Sequence, residues 1–405
     1  MILLFTVPGA GLLGVGALVL GLSGVSGLWG DSLELDGALV SAAAAAFLAA
    51  LLGLCSWVLI RKAARSTAVE RHITFENSPV CNWILLIITA VAIAAGAALS
   101  TLQPAWIGLA AAPALTLVAI FSPLLLITGL ALRGIDLGPV WRAAEIVGLG
   151  LTLGPIIIVS LEIAFALAAL VLLAAVLAAQ PETAAELMAI AAELQSVSNP
   201  TEIARLAAPY LLRPGVLASL YGFVAILVPI IEEMIKPLGV WFFATRLRST
   251  PEGFGWGALS GGAYALVESL GVTGQGGQGW EMVMAVRAST GLLHITTAAL
   301  MGWAIASVFR EHKFLRLACI YALAVAIHGL WNGSAVAVAI ASLAAVTTVP
   351  PWTVQVGAAG VIAFALLFTG LPAILLTMNR RMRLVQAQQH SETLLGRAQG
   401  RVQKT

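Results

Sequence analysis

Long apolar blocks recur along the whole chain, and short polar stretches carrying most of the charge separate them. Each block approaches the roughly 20 residues a helix needs to cross a bilayer. Ten such blocks can be marked, at approximately Ile2–Leu28, Ala38–Ile60, Trp83–Leu99, Ala105–Leu132, Val147–Ala178, Val216–Thr245, Phe254–Val272, Met282–Phe309, Leu315–Val346 and Trp352–Met378. The pattern predicts an all-α protein, a polytopic transmembrane helix bundle of about ten spans. The first block is too long for a signal-peptide core, lacks a basic start and has no obvious small-residue cleavage site, so it reads as a retained helix.

Composition removes the soluble alternative. Hydrophobic residues make up 60% of the 405 and charged residues 10%, with a mean hydropathy of +0.99. A water-soluble exterior cannot be built from so little polar surface. The net charge of +2 carries no signal for nucleic acid, so no nucleic-acid partner is expected and the bilayer itself is the first partner. The distribution of charge gives the topology. Arg61, Lys62, Arg65 and Arg71, then Arg133 and Arg142, then Arg246 and Arg248, then Arg310, Lys313 and Arg316 fall in alternate connections, as do Arg380, Arg381, Arg383, Arg397, Arg401 and Lys404 at the end. The opposite connections hold Arg205 and Arg213, together with the acidic Asp31, Glu34 and Asp36. The positive-inside rule then places both termini in the cytoplasm. Cys55, Cys81 and Cys319 are isolated and odd in number, which indicates neither a disulfide framework nor a thiolate metal site.

Between Gln180 and Pro214 the chain turns rich in Ala, Glu and Leu, which reads as one or two extracytoplasmic surface helices broken near Asn199–Pro200. The tail after Arg380 is polar and rich in Gln and Arg, a surface helix or a disordered end. The first four spans contain almost no ionisable residues at depth and look like scaffold, whereas those from Val216 to Val346 hold the polar groups.

Four successive spans carry them. The sixth reads Pro229-Ile-Ile-Glu232-Glu233-Met-Ile-Lys236-Pro237, and the seventh contains Tyr264-Ala-Leu-Val-Glu268. The eighth runs from Arg287 to His294, and the ninth holds His328-Gly-Leu-Trp331-Asn332. An ionisable group near the bilayer centre costs at least ~2.5–3.5 kcal/mol on insertion scales, so such groups face the bundle interior and one another. Counted from the basic or acidic residues that end their spans, Glu232, Glu268, His294 and His328 lie at similar depths, roughly 18–24 Å along the helix axes. Glu232 and Lys236 are i,i+4 neighbours, and so are His328 and Asn332. Pro229 and Pro237 bracket the sixth-span pair, which predicts a kinked helix there. Gly257, Gly261 and Gly262 give the seventh span a face that admits a close neighbour. Glu162, about 15 residues deep in the fifth span, has no evident role.

Glu-Glu-x-x-Lys, an aromatic-x-x-x-Glu, Arg-x6-His and His-x-x-Trp-Asn, in that order, resemble the motif set of PrsW-family intramembrane proteases, related to the CAAX-processing membrane peptidases. The resemblance covers about Pro229 to Ser334 and departs at Tyr264, where a Phe is expected. It implies an intramembrane endopeptidase. In that reading Glu232 is the general base, Lys236 tunes its charge and Glu233 orients the helix or a second ligand. Glu268, His294 and His328 bind a divalent metal such as Zn²⁺, and Asn332 donates to the oxyanion or holds His328. Arg287, Tyr264 and Trp331 are supporting residues. A metal-free version, with a glutamate activating water and the His/Asn pair stabilising the tetrahedral intermediate, stays open. The implied substrate is a membrane-anchored protein, such as an anti-sigma factor or another single-span protein, in a bacterial plasma membrane.

The corresponding division is a scaffold at 1–145, the fifth span at 146–179, the extracytoplasmic segment at 180–214, a catalytic helix core at 215–346, the last span at 347–379 and a cytoplasmic tail at 380–405. Other protease chemistries fit poorly. No His-Glu-x-x-His is present, and the three aspartates Asp31, Asp36 and Asp136 lie outside mid-bilayer. Ser260 lacks a Gly-x-Ser-Gly setting. An ion-coupled transporter, which also places carboxylates on kinked mid-membrane helices, and a non-catalytic scaffold of the same fold are the rival classes.

Overall fold

The computed structural model describes residues 2–27, 35–64, 72–76, 78–99, 106–272 and 280–402. Leu28, Asp31, Glu34, Arg65, Arg71, Ala105 and Lys404 of the span and charge assignments lie outside them, and only the backbone is described at Asp36, Arg397 and Arg401. Helices dominate: α1 (Leu3–Gly27), α2 (Leu35–Ala64), α3 (Pro79–Leu99), α4 (Trp106–Leu132), α5 (Val140–Leu151), α6 (Leu153–Ala178), α7 (Pro181–Ser196) and α8 (Pro200–Leu211). After them come α9 (Pro214–Tyr221), α10 (Val228–Ile235), α11 (Leu238–Phe242), α12 (Thr250–Val272), α13 (Trp280–Glu311), α14 (Phe314–Ser342) and α15 (Pro351–Val402). Among the described residues nine helical segments are long and apolar enough to cross a membrane. The tenth expected span is α12, whose Gly, Ser and Glu residues lower its hydropathy and which is buried along most of its length. The protein is an all-α polytopic helix bundle.

Two compact units divide the chain. The first comprises residues 1–156, 235–321 and 371–405. Its central element is α13, buried along nearly all of its apolar stretch. Helix α12 packs against it through glycines. A Cβ on Gly257 would run into the Ala298 carbonyl, and one on Gly261 would stand 2.5 Å from the carbonyl of His294. Side chains at these positions would hold the backbones apart, so the small residues set the close approach. Helix α5 comes as near on the other side of α12, where a Cβ on Gly150 would meet the Ser260 carbonyl at 3.0 Å.

A short antiparallel ribbon, β1 (His72–Thr74) with β2 (Asp136–Pro139), adds to the all-helical expectation. It lies in the connections beyond the ends of α3 and α4, where chain outside the apolar blocks must satisfy its own hydrogen bonds. Gly134 and Gly138 have positive φ, 69° and 78°, and Asp136 accepts from the Gly138 N–H at 2.8 Å, closing the turn. Arg248 joins Asp136 at 3.4 Å to Glu252 at 2.9 Å. Trp256 Nε1 donates to the Leu137 carbonyl at 3.1 Å, tying the start of α12 to the ribbon.

The second unit comprises residues 157–234 and 322–370. Its segment from Gln180 to Pro214 forms α7 and α8, broken where the sequence indicated. Asn199 caps α8 by accepting from the Thr201 N–H at 2.9 Å, with Pro200 at the first helical position. The polar tail does not start a separate element: α15 runs unbroken from Pro351 to Val402.

Candidate active site

The sixth span is not one helix. Between α9 and α10, Gly222–Leu227 forms a π-helical turn, and α10 stops at Ile235 before Lys236 and Pro237. Proline explains both irregularities. In the π register the Val228 N–H bonds to the Phe223 carbonyl, five residues back. The next carbonyl, Val224, would take the N–H of residue 229, but Pro229 has none. Asn332 of α14 supplies the missing donor, its Nδ2 lying 2.9 Å from the Val224 oxygen. Gly329, one turn earlier on α14, lets the Ala225 carbonyl come so near that a Cβ would collide with it. A π turn of this kind widens the helix and often marks a functional position. At the far end, Pro237 breaks the ladder again, and the Ser260 hydroxyl donates to the Lys236 carbonyl at 2.5 Å. That bond gives Ser260 a structural place.

In the second unit this distorted segment delivers two glutamates to α14. Glu233 is fully buried and its Oε1 lies 2.8 Å from Nδ1 of His328, itself 2% exposed. A carboxylate only accepts, so Nδ1 carries the proton and Nε2 is the ring atom left with a lone pair. Nε2 is turned toward Glu232, whose Oε2 stands 4.0 Å away. That gap exceeds a hydrogen bond. Trp331 packs edge-on against Phe364 with ring centroids 5.0 Å apart, and Asn332 serves the π turn as described. The i,i+4 relation of His328 and Asn332 thus places the two on one face for different partners.

In the first unit α12 and α13 present a second cluster around His294, which is 1% exposed. Lys236 Nζ lies 2.6 Å from His294 Nδ1, and Glu268 Oε2 lies 2.6 Å from His294 Nε2. An ammonium has only protons to give, so Nδ1 accepts, and Nε2 stands at ion-pair distance from the carboxylate without hydrogen-bond geometry. Arg287 donates to the other oxygen of Glu268 at 2.9 Å. Tyr264 stands edge-on to His294, with centroids 5.3 Å apart, and its ring lies 5.2 Å from the Lys236 ammonium. The seven-residue spacing of Arg287 and His294 on α13 therefore places both on the same carboxylate of α12.

The donor chemistry suits a divalent metal. Both clusters offer buried imidazole and carboxylate atoms, the ligands such an ion takes. Glu233 holds His328 by the ring nitrogen opposite Nε2, as a carboxylate commonly does behind a metal-binding histidine. What the sequence did not identify is the pairing: Glu233 with His328, Glu268 with His294, and Asn332 with the Val224 carbonyl. Only Pro229 hinted at the last.

Residues 158–371, just over half of the chain, match the family described as PrsW family intramembrane metalloprotease. No curated protein and no solved structure matches the chain. The family match begins in α6, ends in α15 and contains every residue of both clusters. The apolar helices, the glutamates and histidines on four successive segments, and this match lead to one conclusion: the chain belongs to the PrsW family of intramembrane metalloproteases.

Proposed function

We propose that this protease hydrolyses peptide bonds of membrane-anchored proteins with water activated by Glu232. The observation that carries the reading is the arrangement at His328. Glu233 fixes the ring at 2.8 Å, and Glu232 faces its other nitrogen across 4.0 Å. A buried carboxylate set opposite a nitrogen lone pair at that distance is suited to receive a proton from a water between them. His294, oriented by Glu268 and Lys236, is the second imidazole of the proposed centre. Chain connectivity supports their acting together: Glu233 and Lys236 are three residues apart, so at most about 11 Å of extended backbone separates them.

His294 and His328, with the carboxylate of Glu268, would hold a divalent cation such as Zn²⁺. When bound it would polarise the scissile carbonyl and lower the pKa of a water. Asn332 is a positioning residue, because its amide keeps the π turn that carries Glu232 and Glu233. Arg287 holds Glu268 in place. The substrates in this reading are single-span proteins, such as anti-sigma factors, of a bacterial plasma membrane.

One observation favours a metal-free variant of the same hydrolysis. The Lys236 ammonium sits on His294 Nδ1 and supplies positive charge there without an ion. Metal content and turnover of Glu232→Gln and His294→Ala, purified beside the unchanged protein and given a single-span reporter in proteoliposomes, test both forms. The expected result is about one bound metal per chain, retained by Glu232→Gln and lost by His294→Ala. Cleavage should fall by about 10²–10⁴-fold in Glu232→Gln. Undiminished cleavage by that variant would remove Glu232 from the chemistry. Solute or proton movement in place of cleavage would favour a transporter.

A further inference from the structure

The connections after α4 and before α3 enclose an open cavity that shares no residue with the two histidine clusters. Its volume is about 410 Å³ and its walls are Phe75, Glu76, Ser78, Arg133, Gly134 and Arg383. Ser78 immediately precedes α3, and Arg133 and Gly134 immediately follow α4. Both helices are apolar enough to cross a membrane. The cavity thus opens where two spans leave the hydrocarbon, at the level of the lipid headgroups. On the first turns of α3, Val80, Trp83 and Ile84 are exposed, an apolar strip that begins beside the cavity.

The cationic wall is built from the fold. A Cβ on Gly134 would stand 2.8 Å from Cδ of Arg383, so the glycine's bare turn at φ 69° is what lets the arginine lie across it. Arg383 Nε donates to Asn379 Oδ1 at 3.1 Å. The buried Asn379 in turn donates to the carbonyls of Ala131 and Arg133 at 2.8 and 3.0 Å. Among the described residues no ion pair engages Arg133 or Arg383. Two guanidiniums therefore face one carboxylate, Glu76, and leave an excess of positive charge.

Guanidinium groups match phosphate oxygens in geometry and charge. We infer that this cavity binds the headgroup of an anionic phospholipid, a glycerol phosphodiester. Arg133 and Arg383 take its phosphate, while Ser78 and Glu76 serve its hydroxyls as donor and acceptor. Free phosphate offers the same oxyanion, but the apolar strip on α3 gives acyl chains a surface that a free ion does not use.

The test uses the full chain in detergent, with retained lipid read by native mass spectrometry. Phosphatidylglycerol, phosphatidylcholine and inorganic phosphate are the probes. Arg133→Gln/Arg383→Gln is the main variant, and Arg133→Gln alone leaves the Asn379 anchor intact should the double variant not fold. Arg380→Gln, an exposed arginine of α15 outside the cavity lining, reports diffuse charge. Each basic group near an anionic lipid contributes about fivefold. Phosphatidylglycerol retention should fall about 25-fold in the double variant and about fivefold in Arg133→Gln, with phosphatidylcholine and Arg380→Gln little changed. Retention undiminished in the arginine variants, or reduced as much by Arg380→Gln, would overturn the site. Displacement of the lipid by millimolar inorganic phosphate would overturn its assignment to a headgroup.

Discussion

His294 and His328 occupy opposite kinds of surroundings. In the first unit His294 has a polar partner on each ring nitrogen, Lys236 on one and Glu268 on the other, and it projects from a helix whose backbone touches its neighbour through glycines. In the second unit Glu233 fixes His328 by one nitrogen and Glu232 faces the other across a gap, on a segment widened by a π turn and interrupted by proline. Both histidines are buried to the same degree. Burial alone therefore does not distinguish the two settings. The difference lies in what each ring nitrogen meets and in how regular the supporting helix is. A low-dielectric interior makes that distinction costly to change, since any buried polar atom that loses its partner incurs its full desolvation penalty.

The comparison can be broken first at the closely packed side. Gly257→Leu would drive a side chain into the Ala298 carbonyl, a backbone atom that cannot yield. Overpacking typically costs about 1–3 kcal/mol and more where backbone is involved. The expected outcome is a large fall in melting temperature or loss of folded protein in detergent, whereas Gly215→Ala, with open space around it, should melt like the parent.

At the irregular side, Glu233→Gln removes the charge that fixes His328. Activity and metal affinity should drop roughly 10–100-fold, measured by reporter cleavage and metal titration with folding unchanged. Equal losses in Glu233→Gln and Glu268→Gln would indicate that the two clusters are held alike.

Asn332→Ala tests the origin of the irregularity. It leaves the Val224 carbonyl without its donor, at a cost of about 1–3 kcal/mol in thermal stability. Pro229→Ala restores an N–H that the π register directs at that carbonyl, so the double variant should recover part of the loss. Additive losses would sever the link between Pro229 and Asn332.

The smallest expected effect lies outside the membrane, at the ribbon. Burial raises the Asp136 carboxyl, but the Gly138 N–H, Arg248 and His72 outweigh it and hold the group below the ordinary carboxylate value. Unfolded, the group binds protons at higher pH than it does when folded. Its stabilisation is therefore present above about pH 4 and fades as pH falls through the folded value. Asp136→Asn should lower the neutral part of a melting-temperature profile slightly, and the difference from the parent should shrink as the pH falls below about 4.

Much of this was legible in residues. The apolar blocks fix the helices because a bilayer leaves the backbone no other partner. Buried charge is expensive, so Glu232, Glu268, His294 and His328 at one depth already pointed to an interior site. Pro229 and Pro237 marked the breaks in the sixth span, since a proline removes its own N–H from the ladder. Asn199–Pro200 likewise marked the boundary between α7 and α8.

Tertiary structure decided which partner each group finds. Periodicity put His328 and Asn332 on one face, but only folding assigned one to a carboxylate and the other to a backbone carbonyl 108 residues away. The sequence likewise gave no reason to join Ser78, Arg133 and Arg383 around one cavity, because those residues come from distant segments and meet only through a glycine turn and a buried asparagine. Local rules determine where a helix runs and how deep a side chain sits. Hydrogen bonds between distant segments depend on distances of a few tenths of an ångström, which are set when the helices pack.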